Sequence, residues 1–68
     1  MRLEEAVHKA REFLRMNAGY FFTALEGVRL EGGVWVLEFN VSSVGLKLVR
    51  VRVDNKTGRV VGYESVTR

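Results

Sequence analysis

The stretch VRVDNKTGRVVGY, Val51 to Tyr63, places Asp54, Asn55, Lys56, Thr57 and Gly58 between two runs of valine. Oxygen-bearing side chains on a tight loop could hold a divalent cation, and a Lys-Thr pair beside glycine could hold a phosphate. A calcium loop needs oxygen ligands at positions 1, 3 and 5, then a glycine, then a glutamate at position 12. Counted from Asp54, position 3 is Lys56, a cation. A phosphate loop needs more glycines and a helix after them, and here a valine run follows. Hairpin chemistry accounts for every residue instead. Asp54 accepts backbone amides, Asn55 and Lys56 take the corners, and Gly58 takes a positive φ. No metal or cofactor site is expected.

Catalytic constellations are equally sparse. His8 is the only histidine, on the polar face of a helical pattern, where Glu4 and Glu12 are its i±4 neighbours. A triad needs an aspartate and a nucleophile beside it. Asp54 is the only aspartate and sits in the turn; Ser42 and Ser43 are also turn residues. Glu4, Glu5, Glu12, Glu31 and Glu64 read as surface positions. The absence of cysteine excludes a thiol nucleophile, a disulfide framework and a thiolate metal site. No catalytic residues are assigned, and the chain is not expected to be an enzyme.

Positioning any site falls to few elements. Leu3, Ala6, Val7, Ala10, Phe13 and Leu14 follow helical spacing, which predicts an amphipathic helix over 3–16. NAG at 17–19 supplies its stop. The period then changes to two. Strands are expected over FFTALEGVRLE (21–31), VWVLEFNV (34–41), LKLVRVRVD (46–54) and RVVGYESV (59–66), with turns at GG (32–33), SSVG (42–45) and DNKTG (54–58). The short connections predict an antiparallel meander. The expected fold is therefore α+β, a single domain over 1–68, with the N-terminal helix packed on one face of a four-stranded antiparallel sheet. In the fourth strand, Val61 and Tyr63 share one face and Val60 and Val66 the other, and Gly62 could host a bulge.

The chain's 68 residues carry a formal net charge of +3, which permits nucleic-acid contact without demanding it. Lack of Pro, Gln and Ile, with abundant Val, Arg and Glu, suits a thermophile. No apolar run reaches the roughly 20 residues of a membrane span. The opening Met1-Arg2-Leu3-Glu4-Glu5 lacks the basic-then-apolar order of a signal peptide, so a cytoplasmic location is expected.

The order helix, then antiparallel strands, ending in VRVDNKTGRVVGYESV behind GGVWVLEFNV, resembles PepSY domains and the wider cystatin-like arrangement. That resemblance spans most of the chain and implies a helix on a curved sheet that binds or restrains partners. It implies no catalytic residues.

Alternation also marks surfaces. Trp35, Leu37, Phe39 and Val41 share one face, with Val49, Val51 and Val53, and are assigned to the core. The opposite face would show Val34, Val36, Leu46 and Leu48 together, edged by Arg50 and Arg52. An apolar patch of that kind marks a partner site. The leading expectation is a non-enzymatic protein-interaction module that forms a homodimer, or binds another protein, through those six residues. The alternative is a small basic nucleic-acid binder using Lys47, Arg50, Arg52 and Arg59. Tyr20, Phe21 and Phe22 either close the end of the core or form a stacking platform for single-stranded nucleic acid; their exposure decides.

Overall fold

The computed structural model describes residues 1–66. The apolar spacing of the first residues produces α1 (Leu3–Asn17). Glu5 accepts the Arg2 backbone N–H at 3.1 Å, which satisfies one of the first amides. Glu4 and Glu5 lie in the first turn and Arg15 in the last, matching the helix dipole. Gly19, at φ 74°, turns the chain out of the helix, and the N–H groups of Ala18 and Tyr20 both donate to the Leu14 carbonyl.

Four strands follow: β1 (Ala24–Glu31), β2 (Val34–Asn40), β3 (Leu48–Asp54) and β4 (Val60–Ser65). They form one antiparallel sheet in the order β1-β2-β3-β4, so the expected meander and α+β architecture are present. Gly32 and Gly33, both at positive φ, make the two-residue turn between β1 and β2. Each strand is shorter than the alternation predicts, two of them by more than one residue at their start. Residues 21–23 precede β1, and Leu46 and Lys47 precede β3. Asn40 explains the second difference. Its Oδ1 accepts the N–H groups of Ser42 and Lys47, and its Nδ2 donates to the Gly45 carbonyl. That side chain organises the whole connection as a loop, so ladder pairing resumes only at Leu48.

The DNKTG segment is a hairpin turn. Asp54 Oδ2 accepts from Thr57 N–H at 3.1 Å and from Thr57 Oγ1–H at 2.7 Å, and the Asp54 carbonyl accepts from Gly58 N–H. The Thr57 hydroxyl hydrogen bond, then the Thr57 amide, hold the Asp54 carboxyl below its ordinary range. Gly58 has φ 75° and is buried, with Met1 Cε 2.9 Å from where a Cβ would stand. Gly58→Val is expected to cost about 1 kcal/mol or more through backbone strain; a melting temperature equal to that of wild type would contradict this.

The core lies between α1 and the sheet. Ala6, Ala10 and Leu14 meet Leu37, Phe39, Val41, Val49, Val51 and Val53, all buried. Two alanines on the buried helical face let the helix axis approach the sheet closely while β2 and β3 supply the bulk. Phe13 is half-buried and meets Tyr63 of β4 in a tilted pair, ring centres 5.5 Å apart. Leu3, at the end of the apolar stripe, is 38% exposed. The helix approaches β2, β3 and β4 but not β1. Among the described residues, no helix is long and apolar enough to cross a membrane.

Candidate functional site

The sheet face turned away from α1 is organised by charge. Glu38, Arg50 and Glu64 occupy neighbouring positions on β2, β3 and β4. Arg50 donates to Glu38 through Nη2 at 2.8 Å and Nε at 3.1 Å, and to Glu64 through Nη1 at 3.2 Å. Arg52 Nη1 reaches Glu64 at 2.7 Å. Hydrogen bonding from Glu38, then from Glu64, raises the Arg50 pKa above its ordinary value, and Arg52, then Arg50, lowers that of Glu64. The Arg52 side chain lies over Gly62, 3.4 Å from the position a Cβ would take there, an ordinary contact distance.

This arrangement places the six residues expected to form an apolar interface. Val36 is only 4% exposed, between Arg29 of β1 and Arg52 of β3 in the register, where long aliphatic stems can cover it. Val34 and Leu48 are half-buried. Leu46 is 63% exposed but lies in the β2–β3 loop, outside the strand. The four are therefore not one exposed patch. Arg50 and Arg52 pair within their own chain, with Glu38 and Glu64, rather than forming a polar rim toward another copy. Of the four residues expected to contact nucleic acid, Arg50 and Arg52 are thus held in ion pairs, and Arg59 is exposed beside the turn. Lys47 immediately precedes β3, its ammonium 5.2 Å from the Tyr20 ring centre.

Two surfaces were not legible from alternation alone. The first is the helix-side face of β1. Leu25, Val28 and Leu30 stand opposite Phe39, Leu37 and Trp35 in the register. They belong by phase to the core face, yet they are 36%, 36% and 52% exposed because the helix stops short of this strand. The sequence signal was the strand's order: first in a meander means an edge, and one helix cannot cover four strands.

The second is a cleft of about 230 Å³ between α1 and the segment leading into β1. His8, Arg11 and Arg15 line it from the helix, and Tyr20 and Phe21 from the other side. Their spacing along α1 puts the three basic side chains on one face, one turn apart. Arg11 is held by a hydrogen bond to the Thr23 carbonyl at 3.5 Å and by lying 5.9 Å over the Phe39 ring. Phe21 is 83% exposed. Behind the cleft, hydrogen bonding from Lys47 lowers the Tyr20 pKa, while burial raises that of Tyr63.

Among the described residues, no three His, Cys, Asp or Glu side chains gather where they could hold a metal ion. No family model, curated protein or solved structure matches the chain.

Proposed function

We propose that the chain is a non-enzymatic protein-interaction module that self-associates, and that its interface is the edge of β1 rather than the charged outer face. The observation that carries this reading is the uncovered row Leu25, Val28 and Leu30 on an edge strand. An edge presents unpaired backbone groups, and an apolar row beside it adds area that association removes from water. A binding role is also what the resemblance to PepSY domains implies.

A second copy is the occupant that fits. In a ladder closed by the Glu31–Val34 pair, backbone groups alternate in direction, so Val28 and Leu30 turn theirs outward. Two β1 strands can then pair antiparallel about a two-fold axis. Charge selects among the registers. Centring on Arg29 opposes it to its own copy, which is repulsive. Centring on Leu30 opposes Leu30 to Leu30 and sets Arg29 against Glu31 of the other copy, twice. The bulge between Leu25 and Gly27 favours the same choice, because it bends the first half of the strand away from a flat edge. Arg29 and Glu31, now paired with each other at 2.9 Å and more than half exposed, exchange partners on association.

Sedimentation velocity from micromolar to millimolar concentration tests this. Wild type is expected to dimerise with rising concentration, Arg29→Glu to stay monomeric, and the swap Arg29→Glu with Glu31→Arg to recover the dimer. A wild type that is monomeric throughout, or a dimer indifferent to Arg29→Glu, overturns the proposal.

A further inference from the structure

We infer that the cleft between the second half of α1 and residues 20–23 binds single-stranded nucleic acid, stacking a base on Phe21 and holding phosphates with Arg11, Arg15 and Lys47. A phenylalanine ring that is 83% exposed is a large apolar surface left in water at a position where neighbouring Tyr20 is half-buried. Every base has a flat face for such a ring, so stacking recognises single strands with little regard to sequence. Duplex bases, already stacked on one another, cannot use it.

The cations beside the ring suit a phosphate backbone. Across the sheet, Arg50 and Arg52 are neutralised by Glu38 and Glu64. Arg11 and Arg15 form no ion pair among the described residues, and Glu12 is the one carboxylate lining the cleft. The outer face is thus balanced by its own carboxylates, while Arg11 and Arg15 beside the cleft stay outside any ion pair among the described residues. Arg11 is also set in place, since the Thr23 carbonyl and the Phe39 ring hold it with no carboxylate to displace. Lys47, over Tyr20, continues the positive surface past the ring. An apolar partner would have no use for this charge, and an acidic peptide would have no use for an upright, exposed ring.

This site is separate from the β1 edge, so it stands whether or not the chain dimerises. The test is fluorescence anisotropy of a labelled oligothymidylate of about 12 nucleotides, a length within the range of single-strand sites. A labelled oligoglutamate of equal charge and a DNA duplex serve as comparisons. The oligothymidylate is expected to bind in preference to both. Phe21→Ala is expected to weaken binding roughly tenfold without changing the melting temperature. The logarithmic salt slope is expected to be about −2, for three phosphate contacts to a single strand, and Arg15→Ala is expected to make it shallower. No anisotropy change at low salt, equal binding of the oligoglutamate, or affinity unaffected by Phe21→Ala would each overturn the inference.

Discussion

Phe39→Ala is expected to lower the unfolding free energy by about 3–5 kcal/mol, the range for emptying a buried aromatic site. A chain of 68 residues is stable by only about 3–10 kcal/mol at the usual yield per residue. The substitution therefore removes much or all of the margin. Phe39 is fully buried, the largest such side chain among the described residues, and stands near the end of β2 beside Val49 of β3 on the face that meets the helix. Its neighbours Leu37 and Leu14 are held by rigid elements and cannot collapse into the space. Its ring also carries the Arg11 guanidinium, so the loss reaches the basic cleft. Urea unfolding followed by Trp35 fluorescence is the measurement. A loss below about 1.5 kcal/mol would mean the cavity closes, and that the helix is not rigidly seated.

Asn55→Ala is expected to cost about 2 kcal/mol. Asn55 Oδ1 accepts from the Trp35 indole N–H at 2.8 Å and from the Met1 amino group at 3.0 Å. Alanine leaves the part-buried indole N–H without that acceptor, and a lost buried partner costs about 1–3 kcal/mol. The Met1 amino group retains only the Asn55 carbonyl, at 3.1 Å. Asn55→Asp keeps an acceptor oxygen in the same place and is expected to lose less. The indole N–H resonance of Trp35 should move upfield in the alanine variant and stay near its wild-type position in the aspartate variant. An alanine variant as stable as wild type would show that water replaces Asn55 at the indole.

The sequence made the elements legible because each obeys a local rule. The 3.6 period gives α1, the alternation gives four strands, and Gly58 reveals a left-handed turn position. What stayed hidden depends on distant neighbours. Asn40 looks like an ordinary strand residue, and only its three hydrogen bonds show that it ends β2 and keeps Leu46 out of β3. Val36 alternates to the outer face as expected, yet it is only 4% exposed, in the register between Arg29 and Arg52, whose stems can cover it. Leu25, Val28 and Leu30 have the phase of core residues, and the placing of one helix decides that they are not covered. Asn55, read as a corner of the turn, proves to be the acceptor for Trp35. Of the residues proposed for contacts, Lys47 remains beside an exposed aromatic segment, while Arg50 and Arg52 serve the sheet itself.

The bond between Met1 and Asn55 spans 54 positions, in a fold where every strand pairs with its neighbour in sequence. Hairpins close over short loops and meet a small entropic barrier, so the sheet can assemble from adjacent pieces. The N-terminal clasp has to wait until α1 has docked and the last turn has formed. An interaction made after the rate-limiting step leaves the rate of folding almost untouched and slows the reverse reaction. Asn55 thus governs the lifetime of the folded chain more than the speed at which it is reached.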